Sequence, residues 1–69
     1  MTRRFEFVGG SSDKFWQNEM SGVEVIVTFG RNGTNGQTDT KTFPHTIAAD
    51  KFASRKIEEK LGKGYVEIT

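Results

Sequence analysis

The chain has 69 residues, of which 33% are hydrophobic and 28% charged, with a formal net charge of +1 and no cysteine. That length allows one domain with a small core, and the lack of Cys excludes a disulfide frame and a thiolate metal site. The near-neutral balance excludes a broadly basic surface unless folding gathers Arg3, Arg4, Arg31 and Lys41 on one side.

In chain order, "RRFEFV" alternates, with Phe5 and Phe7 on one face, and reads as a strand. Gly9 to Asp13 is a turn by composition. "KFWQNEM" resumes an extended pattern with Phe15 and Trp16 on opposite faces. Ser21–Gly22 lies between two extended runs and predicts a tight hairpin. "VEVIVTF" is the clearest strand: Val23, Val25, Val27 and Phe29 share a face, and Glu24, Ile26 and Thr28 take the other. Two Asn-Gly pairs, Asn32–Gly33 and Asn35–Gly36, make a loop, since both residue types tolerate positive φ. "QTDTKTF" is polar on both faces and reads as an exposed edge strand.

Phe43–Pro44 breaks the strand pattern. Thr46 is the expected N-cap of a helix to about Leu61, with Asp50 in or next to the first turn and Gly62 as its stop. Ala49, Phe52, Ala53, Ile57 and Leu61 form its apolar stripe, and Lys56 lies within that stripe with its stem along the core rim. "GYVEI" ends the pattern as a short extended segment. The fold class is therefore α+β. An antiparallel sheet of four to five strands carries one amphipathic helix on one face, and the other face is left to water or a partner.

Little in the chain supports catalysis or metal binding. His45 is the single His and reads as a surface or helix-entry residue. Glu58 and Glu59 point about 100° apart on a helix and read as a solvated face. Gly30, Gly33 and Gly36 precede a strand, where a phosphate loop requires a helix N-terminus. No metal, no cofactor and no enzymatic activity are expected. No signal peptide or membrane span is read, so the expected location is cytoplasmic. What remains is surface recognition. By pattern alone Phe29 and Trp16 are core residues, yet Arg31 follows a ring at a strand end. A guanidinium forks onto phosphate and a ring stacks on a base.

The stretch "VTFGRNGTNGQTDTKTF" resembles the signature of the WGR domain family, in which Trp-Gly-Arg ends a strand before a Gly-Thr loop and a polar strand. "SSDKFWQNEM" is similar to the family's second strand, and "EEKLGKGYVE" to its closing helix and Gly-Tyr tail, so the resemblance spans roughly residues 3–67. It implies a module like that of poly(ADP-ribose) polymerases, which contacts a broken DNA strand near its 5′ phosphate. The short bacterial stand-alone type is the nearest in form. By position Phe29 replaces the motif Trp, while Gly30 and Arg31 are unchanged. The Phe keeps a flat ring but loses the indole donor. The resemblance makes Phe29 the stacking ring, with Arg31 and Lys41 on phosphate and the loop from Asn32 to Gly36 shaping the contact. It implies no ADP-ribosyl transfer. DNA ends or nicks are the expected partner; a protein partner docking on the same motif surface is the alternative.

Overall fold

The alternating segments resolve into β1 (Thr2–Gly9), β2 (Ser12–Ser21), β3 (Glu24–Arg31) and β4 (Gln37–Thr42), followed by α1 (Thr46–Gly62) and a short β5 (Val66–Ile68). The computed structural model describes residues 2–68. The strands form one antiparallel sheet in the order β4-β3-β2-β1-β5. Each of the first four pairs with its sequence neighbour, as short connections require. Gly10 and Gly22 turn the first two hairpins with φ of +57° and +62°. The second turn is centred on Gly22–Val23, not Ser21–Gly22, because Ser21 still pairs with Glu24. Placing Gly first, where φ is positive, suits a two-residue hairpin. As expected, β4 is an edge strand, exposed along its whole length.

Pleating sends Phe5, Trp16, Val25 and Val27 to the face that α1 covers. The core has two parts. Phe5, Trp16 and Ile57 pack with Val27 and Tyr65; Val25, Ala49 and Ala53 pack with Met20, Val27, Phe43 and Phe52. Burying a side chain the size of Phe5 contributes about 1.5–3 kcal/mol, so a few such residues carry this small domain. Leu61, expected in the helix stripe, is instead about half exposed.

The opposite face is not simply wet. Phe15 points there and is buried under the β3–β4 loop, whose Gly36 lies against its ring, while the Arg4 guanidinium stands 4.2 Å over it.

Both helix ends differ from expectation. His45, not Thr46, is the N-cap: its Nδ1 accepts from the Ala48 N–H at 3.2 Å, in extended backbone just after Pro44. Asp50 therefore falls beyond the first turn. At the other end Gly62 is still helical, and Gly64, at φ +101°, reverses the chain. The Tyr65 and Gly64 N–H groups donate to the Lys60 and Leu61 carbonyls, the pairing of a Schellman stop. That reversal lays Tyr65 beside Phe7, ring centres 5.6 Å apart, and starts β5.

On β5, Ile68 stands opposite Arg4 and Glu67 opposite Phe5. The Arg3 guanidinium donates from Nε and Nη2 to the two Glu67 oxygens at 2.8 and 2.7 Å. This fork holds Glu67 below its ordinary pKa. A depressed carboxylate stabilises the fold above its unfolded pKa and loses that contribution as pH falls through the folded one. The gap in melting temperature between wild type and Glu67→Gln should thus be full at neutral pH and shrink below about pH 4.5; a gap constant down to pH 2 would exclude this coupling. Among the described residues, no helix is long and apolar enough to cross a membrane.

Candidate functional site

The N-terminal half of α1 sits over Val25 through Ala49 and Ala53, whereas Ile57 sits over Phe5 and Trp16. The helix thus drifts from β3 toward β1 along its length. It leaves a wedge open above the β3–β4 side of the sheet, a groove of about 620 Å³. Trp16, Val27 and Phe29 form its floor. Phe52, Lys56, Glu59 and Lys60, spaced to share one helix face, form one wall, and Asp39 and Lys41 of β4 form the other. Lys14, Arg31 and Tyr65 stand at the wide end.

Four of the five residues singled out from sequence meet here: Phe29, Gly30, Arg31 and Lys41. Trp16 is a core residue as the pattern indicated, 5% exposed. Phe29 corrects the pattern. It lies on the helix-bearing face beside Trp16 but beyond the helix's cover, and 40% of it is exposed. Gly30 has a structural reason. A Cβ there would lie 2.8 Å from the Gly36 Cα and 3.4 Å from the Thr34 hydroxyl, so the loop needs a glycine to fold back across the strand.

Asn32 does not join the groove. Its amide donates to Asp13 Oδ1 at 2.6 Å and accepts from Arg4 at 3.1 Å, pinning the loop to β2 and β1. Arg3 and Arg4 also stay out, held by Glu67 and Glu6 respectively. The cations that folding does gather are Lys14, Arg31, Lys41, Lys56 and Lys60, against the carboxylates of Asp39 and Glu59.

The charge is concentrated at the wide end. Lys14 and Arg31 are directly opposed in the β2–β3 register, a like-charge placement that costs stability. Lys60 reaches in from the helix over the Tyr65 and Trp16 rings, at 5.3 and 5.8 Å, and Lys14 shares the Tyr65 ring at 5.8 Å. Burial lowers the Lys60 pKa, and Lys63, Lys56 and Lys14 push it the same way against Glu59. Among the described residues, no carboxylate lies within 4 Å of the Lys14, Arg31 or Lys60 charge. Lys56 has Glu59 at 3.9 Å, and Lys41 stands 5.1 Å from the Phe52 ring centre.

Lys14, Lys56, Lys60 and Tyr65 were not legible as site residues. Lys56 and Lys60 carried a signal, one turn apart beyond Phe52 on a helix face; Lys14 and Tyr65 depended on pairing register. Among the described residues, no group of three His, Cys, Asp or Glu is placed to hold a metal ion. Chemically, the groove offers flat rings below and cations at its rim.

The sequence model of the WGR domain family matches residues 1–69. The chain is similar to the Escherichia coli K12 protein YehF, 40% identical over 65 residues that cover 94% of this chain and 24% of YehF. It is 36% identical over 67 residues to YfeS of the same strain, covering 97% of this chain and 28% of YfeS. A crystal structure of a Bacteroides fragilis protein superposes with a TM-score of 0.98 at 45% identity, over all of this chain and 20% of that one. The chain spans about a quarter of the length of the curated relatives it matches.

Proposed function

The chain belongs to the WGR domain family, a binding-type domain rather than a catalytic fold, and from that premise we propose that residues 1–69 form a single non-enzymatic module that binds DNA at strand ends or nicks near a 5′ phosphate. The observation that carries this reading is the opposed pair Lys14 and Arg31 at the mouth of a groove floored by rings. Two like charges held face to face are relieved when an anion settles between them, and a phosphate accepts from both. Phe29, in place of the motif Trp, is exposed enough to stack on a terminal base, and Lys41 supplies a further cation along the groove.

The test is a titration of the purified chain against two labelled duplexes of equal length, one nicked with a 5′ phosphate and one a closed circle. The nicked duplex is expected to bind at least about fivefold tighter. Its affinity should fall roughly tenfold between 50 and 150 mM salt if two to three phosphates are neutralised. Arg31→Ala should erase the preference. Equal binding to both duplexes would overturn the end-binding reading. The fully exposed edge of β4 favours the second reading, a protein partner that adds a strand there. Protection of the β4 amides by a partner, with the nick preference absent, would support it.

A further inference from the structure

The groove is too long for one phosphate. From Arg31 to Val25, whose cross-strand partner is Lys41, is six residues of β3, about 20 Å at the rise of a strand. Its cations fall at two ends. Lys14, Arg31 and Lys60 occupy the wide end without a carboxylate partner among the described residues. Lys41 and Lys56 flank the Phe52 ring at the narrow end, 5.1 and 5.7 Å from its centre. Between them the lining changes character. Val27 and Phe29 floor it, and Asp39 and Glu59 face it. Carboxylates repel a phosphate but accept a hydrogen bond from a base amino group. A volume of about 620 Å³ belongs to sites that hold small ligands, about 300–1,000 Å³, which is room for a short unpaired strand.

We propose that the groove takes a single-stranded DNA tail of about two to three nucleotides, its 5′-terminal phosphate among Lys14, Arg31 and Lys60 and its backbone running along β3 to Lys41 and Lys56. This rests on the reading of the chain as a DNA-end module and specifies what it holds at an end: the unpaired 5′-terminal nucleotides, supplied by an overhang or by fraying at a nick. The terminal phosphate carries more charge than an internal one, and it meets the trio whose mutual repulsion is otherwise unrelieved. The bases lie over Phe29 and Val27 with their amino edges toward Asp39.

The experiment measures fluorescence anisotropy of oligodeoxycytidylates, whose bases carry an amino edge, of one to five nucleotides, labelled at the 3′ end, with and without a 5′ phosphate. Affinity is expected to rise about fivefold per nucleotide up to three, within the range of base–ring stacking, and then level off. Removing the 5′ phosphate should weaken the trinucleotide about tenfold. Lys14→Gln should weaken every length, whereas Lys41→Gln should weaken the trinucleotide and leave the mononucleotide unchanged. A trinucleotide that binds no tighter than the mononucleotide, or a Lys41→Gln effect equal at all lengths, overturns the proposal. The nicked-duplex titration separates the two readings. A nick preference without length dependence removes the single-strand tail and leaves end binding in place. Length dependence without nick preference does the reverse.

Discussion

Gly36→Ala is expected to cost the fold about 3 kcal/mol, from a left-handed backbone conformation and a steric clash together. Gly36 has φ +73°, and a Cβ there would lie 2.5 Å from the Phe29 carbonyl oxygen and 2.8 Å from the Phe15 ring. Neither neighbour can retreat. The first is backbone of β3; the second is buried beneath the loop. Gly33 is the internal control. Its φ is +89°, but nothing lies within 4 Å of its Cβ position, so Gly33→Ala should cost only about 1–2 kcal/mol for the backbone conformation. Both substitutions stiffen the unfolded chain alike, so the difference between them isolates the clash. Small domains hold roughly 0.05–0.15 kcal/mol per residue, about 3–10 kcal/mol for a chain of 69 residues, so Gly36→Ala should remove about a third or more of the stability. Urea midpoints of the two variants decide the matter, and equal midpoints would mean that the loop does not seal Phe15. The same close approach explains Gly30. The middle residue of the Phe-Gly-Arg stretch serves the fold, while the residues on either side of it face the groove.

Arg31→Glu should separate binding from stability. The Arg31 side chain makes no hydrogen bond or ion pair among the described residues, and its only charged cross-strand neighbour is Lys14. Reversing its sign turns a repulsive pair into an attractive one, each such pair being worth about 0.2–1 kcal/mol. The variant should therefore melt a few degrees higher than wild type. It should also lose at least about a hundredfold in affinity for the nicked duplex, since a contact to phosphate becomes a repulsion. A variant that is both less stable and weaker in binding would show Arg31 to be a structural residue, and one that binds unchanged would remove it from the site. Calorimetry and the duplex titration on a single preparation supply both readings. A group kept at a cost to stability is a mark of function.

Much of the fold was written in local pattern. Alternation from Val23 to Phe29 identified the helix-bearing face of β3, the polar run from Gln37 marked an edge, and spacing placed Ala49, Ala53 and Ile57 on the sheet. The failures cluster where geometry is not local. Thr46 looked like the cap because Ser and Thr usually are; an imidazole after Pro44 reached the Ala48 N–H instead. Gly62 looked like the stop because it is the first glycine after the stripe, yet the reversal waits for Gly64, where Phe7 is close enough to fix Tyr65. Asn32 looked like part of the contact because it follows Arg31, but alternation turns it to the other side, onto Asp13 and Arg4. Lys14 stands seventeen positions from Arg31 in the chain, and only the β2–β3 register sets them face to face. Arg31 and Phe29 were legible because they flank one glycine in the motif, and Lys41 from its place on the polar strand that follows; the rest of the rim comes from elements that meet only after folding.

The pairing of β5 with β1 bears on how such a domain travels between proteins. Arg4 faces Ile68 across the ladder, so the incoming and outgoing backbone run side by side. A unit built this way can be spliced into a surface loop of a host without prising the host's own ends apart. The β1–β5 pair lies on the side of the sheet away from β4. A host joined on that side would leave the β4 margin unencumbered.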